Sequence, residues 1–388
     1  MRIVDIRERT VRLQGGISNS VVSFADHTVS LVAVISDVVR DGRPIAGVAF
    51  NSIGRFGQGG ILRDRMIPRV LAAPPDTLLN SATGRLDPAL VLATAMQNEK
   101  PGGHGDRAGA AAAIELACWD LLAKVDDIPA HSVIAQHHGR QPNRAGAAVY
   151  AAGGYYRAGG DLRGLADEVR GYLDSGYQAV KIKIGGAPLA EDLRRIDAVL
   201  DVVGDGEQVA VDANGRFDCA TALAYADALE PYRLRWYEEP VDPLDLQSHR
   251  ALAAAYDGAL ATGENLFSAA DVANLLDFGQ LRPDRDVLQM DAGLSYGITE
   301  YAAMITLMEQ RGFDRCRAVP HGGHLINLHI VTGLGLGGCE AYPGVFAPFG
   351  GYSDDCTVSD GIITVGQAAG FGLERKPGLD AEIKELLG

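Results

Sequence analysis

Asp212, Glu238 and Glu264 stand 26 residues apart, and each closes a short apolar run, in VAVDANG, RWYEEP and LATGEN. The progression continues 27 residues on to Asp291 in VLQMDAG, and 30 further to His321 in AVPHGGH. Upstream, AVKIKIGG carries Lys181 and Lys183, whose alternation in a strand puts both on one face. Three carboxylates in one low-dielectric site repel one another unless a cation lies among them. A hard, all-oxygen set of this kind suits Mg2+. Any one of these acids could be a solvated strand end. The ordered set argues otherwise, because unpaired charges are expensive to bury.

A step of 26 to 30 residues is the length of one strand plus one helix, so the charged residues fall at the C-terminal tips of successive parallel strands. That is the face on which a parallel barrel gathers its chemistry. AAVYAAGGYY reads as the first strand, followed by a helix around LADEVRGYLDSG. Strands and helices then alternate without a break as far as GLGLGGCEAYP, a candidate eighth strand ending at Glu340. The expected fold is a modified TIM barrel, (β/α)7β, over residues 145–347. Residues 1–135 read as an α+β capping domain: RIVDIRERTVRL, TVSLVAVISDVV and IAGVAFNSIG alternate like antiparallel strands, and an Ala-rich helix over 108–123 follows. The segment 348–388, with a hairpin at VSDGIITV, is expected to pack back on that domain. QGGISNS between the first two strands is a candidate lid. GRFGQGG lacks the GK[ST] ending and the glycine spacing of a nucleotide loop and is discounted.

The chain has 388 residues and a formal net charge of −15, with no run of Lys or Arg, so nucleic acid and anionic membranes are excluded as expected partners. Its five cysteines are dispersed and form no CxxC pair, as expected of reduced thiols. MRIVDIRERT has no apolar signal-peptide core, and no apolar run reaches membrane-spanning length. A cytoplasmic protein is expected.

Lys-x-Lys on the second strand, Asp, Glu and Glu on the next three, and Asp with His on strands six and seven together resemble the mandelate racemase subgroup of the enolase superfamily. The resemblance covers nearly the whole chain, cap included. It implies Mg2+ held by Asp212, Glu238 and Glu264, with a substrate carboxylate on the metal. It further implies Lys183 as general base, and Lys181 as a like charge that lowers the Lys183 pKa and bonds the substrate carboxylate. His321, supported by Asp291, is the implied acid. Lys100 in NEKPGGHG is the implied partner of a distal carboxylate, while Asn214, Asn19 and Asn51 are further candidates for substrate contact. His324 is expected to be structural.

Within that subgroup the segments NEKPGGHG, VDANGRF and TGENLFS resemble those of its diacid dehydratases, and this resemblance implies dehydration of a small 2,3-dihydroxy dicarboxylic acid, with D-tartrate to oxaloacetate as the expected reaction. Dehydration of another acid sugar, or racemisation or epimerisation of a 2-hydroxy acid, is the alternative. A catalytically silent scaffold or binding protein is a more remote one. The asp-bearing strand end at 291 lacks the lysine of muconate cycloisomerases, which argues against that branch. Superfamily habit implies a homo-oligomer.

Overall fold

A computed structural model describes residues 1–143, 146–157 and 159–388. Strands β1 (Ile3–Arg12), β2 (Thr28–Arg40) and β3 (Arg43–Phe50) form an antiparallel sheet in that order. The long helix Asp106–Asp126 lies on this sheet. Its run Ala108–Ala113 is small enough for close approach, and Gly47 on β3 meets it: a Cβ there would fall 2.0 Å from the Ala117 carbonyl oxygen.

The second sheet is the barrel. β4 (Ala147–Gly153), β5 (Val180–Lys183), β6 (Val209–Asp212), β7 (Trp236–Glu238), β8 (Leu260–Thr262) and β9 (Val287–Leu288) pair in parallel, each with the next. β10 (Cys339–Ala341) closes on β4, also in parallel. The expected seventh strand at AVPHGGH is reduced to a single bridge between Leu288 and Ala318. Pro320 has no N–H for a ladder and Gly322 has a φ of +95°, so the backbone turns out of register just where His321 must leave the wall. Helices between the strands start on acidic or hydroxyl caps: Asp218 accepts from Thr221 N at 2.8 Å, Asp245 from Ser248 N at 3.1 Å, and Ser268 from Asp271 N at 3.2 Å.

The expected start of the barrel at residue 145 lies outside the described residues. The tail departs from expectation in part. Its hairpin, β11 (Val358–Ser359) and β12 (Ile362–Ile363), joins the barrel sheet on β4 rather than the first domain, since β4 has an open edge at its start. Other parts of the tail do reach the first sheet: Phe349 packs on Phe50 of β3 with ring centroids 4.8 Å apart, and the final helix Leu379–Leu387 meets it where Arg9 Nε donates to Glu382 at 2.9 Å.

Two buried acids of the long helix tie the cap to the barrel side. Glu115 accepts from the backbone N–H of Ile298 (2.9 Å) and Thr299 (3.0 Å), capping the barrel helix Ile298–Gln310. Asp120 accepts from Val48 N at 2.7 Å and Phe371 N at 2.6 Å. Cys118, Cys219, Cys316, Cys339 and Cys356 are free thiols. Among the described residues no helix is long and apolar enough to cross a membrane.

Candidate active site

In-register parallel pairing places Lys183 beside Asp212 and Asp212 beside Glu238. Period-two alternation turns Lys181 and Lys183 into the barrel and Val180 and Ile182 outward, so both ammonium groups are buried. Lys181 bonds Glu238, sits 2.9 Å from Glu340 and 3.6 Å from Asp212. Glu238 is also held by Trp236 Nε1 at 2.8 Å and Gln289 Nε2 at 2.7 Å. Glu340 in turn accepts from Gly322 N at 2.9 Å.

Burial alone would lower the pKa of each lysine, but the carboxylates outweigh it. Glu238 and Glu340 raise Lys181 well above its ordinary range. Lys183 is likewise raised, because Asp212 is hydrogen-bonded to it. This corrects the expected depression of Lys183. Lys181 does lower it, but by less than the adjoining Asp212 raises it.

One oxygen from each of Asp212, Glu238 and Glu264 lies within 4.8 Å of the others, and these could hold a metal ion. Asp212 and Glu238 are fully buried while the Glu264 side chain is 17% exposed at the mouth, so the group has a closed floor and an open side. Burial and the proximity of Asp212 push Glu238 up to about 8, the response of a carboxylate crowded by its own kind. Asn214, at φ +52°, donates its backbone N–H to Asp212 at 2.8 Å, and its buried Oδ1 has no hydrogen-bond partner. An all-oxygen donor set with an unsatisfied acceptor beside it fits a hard divalent cation.

His321 faces this group across the mouth. Its Nδ1 lies 3.2 Å from Asp291, its Nε2 3.1 Å from the Tyr342 hydroxyl and 3.9 Å from Glu264. Burial would lower its pKa, yet Glu264, Asp291 and Glu340 push it up to about 9. These carboxylates favour the charged imidazolium, the form a proton donor needs. Beneath it, Asn327 Nδ2 donates to the His321 carbonyl at 2.5 Å, and His324 meets Ser52 Oγ at 3.0 Å while its Nδ1 caps Asn327 N, which is the structural part expected of it.

These groups open on a cavity of about 170 Å³. Lys183, Asn214, Glu264, His321 and Glu340 line it from the barrel, and Asn19, Ile53 and Arg55 from the cap. Two expected contacts are not made. Lys100 is exposed and outside the cavity, its carbonyl accepting from Arg107 at 2.8 Å. Asn51 is fully buried in the cap, where its Oδ1 accepts from Ser30 N at 2.7 Å and so ties β2 to β3. Asn19 lines the cavity, though its Oδ1 is already engaged by Val21 N at 2.8 Å and Val22 N at 2.6 Å.

Sequence reasoning missed Arg55, the cap's cation in the cavity, which stood inside the discounted GRFGQGG. It lies 5.2 Å from the Phe267 ring and bonds Asn265, whose Nδ2 donates to Glu239 at 2.8 Å. Tyr155 and Tyr342 were also missed, since a tyrosine near a strand end reads as core.

A parallel barrel with a carboxylate cluster, a lysine pair and a carboxylate-supported histidine at its mouth, with an α+β cap, is the architecture expected of the enolase superfamily. Residues 164–379 match the family described as enolase C-terminal domain-like, and the chain belongs to the enolase superfamily, in the mandelate racemase and muconate lactonizing subgroup. It is 29% identical to the L-talarate/galactarate dehydratase of Salmonella typhimurium over 303 residues, 77% of this chain and 70% of that protein. It is 28% identical to the arabinonate dehydratase of Saccharolobus solfataricus over 228 residues, 57% of each chain. A Streptomyces coelicolor racemase solved with bound magnesium shares the fold, with a TM-score of 0.77 at 20% identity over 98% of both chains.

Proposed function

We propose that this protein is a Mg2+-dependent hydro-lyase that dehydrates a small 2,3-dihydroxy dicarboxylic acid, with D-tartrate to oxaloacetate as the leading reaction. The observation that carries the reading is that Lys183, His321 and Arg55 share one cavity with Glu264, the open side of the carboxylate cluster. At about 170 Å³ the cavity is below the roughly 300 Å³ at which drug-sized ligand sites begin, and a four-carbon diacid suits it better than a six-carbon one.

Asp212, Glu238 and Glu264 would hold the ion. Bound there, Mg2+ supplies positive charge that offsets Asp212 and the charge developing on the substrate carboxylate. With Asp212 offset, burial is the largest influence left on Lys183 and lowers its pKa toward that of a base, with Lys181 acting in the same direction and Tyr155 against it. Lys183 Nζ then takes the proton from the carbon next to that carboxylate. The C–O bond on the adjacent carbon breaks as His321 Nε2 gives its proton to the departing hydroxyl, which leaves as water. The enol that remains becomes a 2-keto acid. Asp291 keeps the imidazole oriented and supports its charge, and Arg55 takes the distal carboxylate.

The pair Lys183 and His321 also serves two-sided proton exchange, so racemisation of a 2-hydroxy acid is the second reading. Against a silent scaffold stand the carboxylate group that could hold a metal ion and the cavity that Lys183 and His321 both line. The proposal takes residues 1–135 as the cap and 145–347 as the catalytic domain of a homo-oligomeric cytoplasmic enzyme. Incubation with Mg2+ and each tartrate stereoisomer, beside a panel of longer sugar acids, tests it. Oxaloacetate from D-tartrate, abolished by EDTA and restored by Mg2+, is the expected result. Product only from a longer acid overturns the substrate, and epimerised acid without keto acid overturns the dehydration.

A further inference from the structure

The Tyr342 hydroxyl lies 3.1 Å from His321 Nε2, on the nitrogen opposite the one that meets Asp291. Tyr342 is buried, and burial together with Glu340 holds its phenol well above the ordinary range, so the group is a neutral hydroxyl. Its ring packs on Phe346, with centroids 4.8 Å apart and planes at 70°. Phe346 in turn meets Phe24 at 4.9 Å and 73°. Phe24 belongs to the cap segment between β1 and β2, where its N–H donates to the Ile17 carbonyl at 3.1 Å.

The middle member of this row is held in an uncommon backbone. Phe346 has a φ of +62°, a left-handed conformation that bulky residues rarely adopt and that persists only when surrounding contacts enforce it. Its carbonyl accepts from Gly350 N at 2.8 Å and Phe349 N at 3.1 Å, and the next residue, Ala347, accepts from Gln14 N of the cap segment at 2.7 Å. Backbone and side chains therefore both tie the segment 14–27 to the Phe346 turn.

Building on the proposed reaction, we infer that Tyr342 is a positioning residue for His321, and that the cap segment 14–27 sets it through the contact row Phe24, Phe346, Tyr342. The hydroxyl fixes the direction of Nε2, the atom that must meet the departing hydroxyl, so water loss depends on the cap while proton removal by Lys183 does not require the Tyr342 hydroxyl. Phe346 also meets Tyr155 at 5.9 Å, and the Tyr155 ring lies 5.4 Å from Lys183 Nζ, so a truncation of Phe346 would disturb both halves of the site. Tyr342→Phe is the sharper variant: it deletes one oxygen and keeps the stack.

The test uses the full-length protein with Mg2+ and D-tartrate in D2O, following deuterium at the α-carbon and oxaloacetate in one sample. For Tyr342→Phe, water loss should fall on the order of tenfold or more, with α-exchange and KM near wild type. Phe24→Ala should show the same split in smaller degree, and Phe24→Tyr, which keeps the ring, should restore it. A second readout needs no turnover: in protein labelled with 15N-histidine, the His321 Nε2 resonance should move in Tyr342→Phe and in Phe24→Ala. Failure of D-tartrate to react would overturn the substrate assignment while leaving this resonance to test the positioning. Equal falls in exchange and water loss, unchanged water loss, or an Nε2 resonance that stays put in both variants would each overturn the inference.

Discussion

Lys181 on the second barrel strand and Glu340 on the last form a buried ion pair at 2.9 Å, spanning β4 at the seam where the barrel closes. Each is about 1% exposed, so neither charge has water to fall back on. Lys181 thus joins the last strand to the carboxylates of the third and fourth, and the closure of the sheet and the charge balance of the site are one arrangement.

Glu340→Gln should therefore destabilise the fold as well as the site. It leaves Lys181 short of one carboxylate, and breaking a buried pair from one side costs about 3 kcal/mol. Urea unfolding should show a lower midpoint with an unchanged slope. A midpoint equal to wild type would mean that Glu238 alone balances Lys181.

The base and the acid should separate kinetically. Lys183→Ala is expected to abolish both α-deuterium exchange and keto-acid formation, whereas His321→Asn should keep exchange and lose water elimination by about 10² or more. Dehydration by the Lys183→Ala protein at the wild-type rate would place the base elsewhere.

Arg55→Met should raise KM for the diacid by about tenfold or more, with a smaller change in kcat, since it removes a cation from the cavity while leaving the proton donors intact. Lys100→Met, on an exposed loop, should change KM little. The reverse pattern would mean that the loop at 98–105 folds over the substrate on binding.

Metal affinity should follow the carboxylate count. Glu238→Gln and Glu264→Gln should each weaken Mg2+ binding in calorimetry on the order of tenfold or more, with no substrate present. Wild-type affinity in both variants would remove the cluster from consideration.

Stability should fall on the acid side of neutrality. Burial lowers His131 and His324 to about 4 and His329 further, and His329 Nδ1 accepts from the His131 N–H at 3.1 Å, which a protonated ring could not do. At these three sites the unfolded chain binds more protons than the folded one between the ordinary histidine pKa of about 6.5 and about 4, while Glu238 and Asp120, both raised by burial, act in the opposite direction. The stabilisation is complete above the upper limit and is lost as pH falls through that window. Each such group contributes up to about 1.4 kcal/mol per pH unit, so the urea midpoint of the wild type measured against that of a His131→Gln protein should fall as pH is lowered from 7 to 5. A flat profile would mean that the buried rings stay solvated.

How much could be read before folding depended on the range of the physics. A constant step and period-two alternation are local properties, and they located Asp212, Glu238, Glu264, Lys181, Lys183 and the Asp291–His321 pair in the places the structure gives them. Glu340 was located as a strand end, but its partner was invisible because barrel closure joins residues 159 positions apart.

What only the tertiary structure decided was which side chains share the cavity. Arg55 enters from a loop that carries no motif, Lys100 and Asn51 do not enter at all, and the row from Phe24 to Tyr342 crosses from cap to barrel. The charge states belong there too: alternation put Lys181 beside Lys183 and suggested repulsion, but a carboxylate in contact outweighs a like charge on the same strand, and that contact comes from the neighbouring strand. Sequence spacing determined the charged side chains at the strand ends and their order along the barrel. Packing of the cap against the barrel mouth decided the size of the cavity, the cation that faces it and the partner of the acid, because these depend on contacts between residues far apart in the chain.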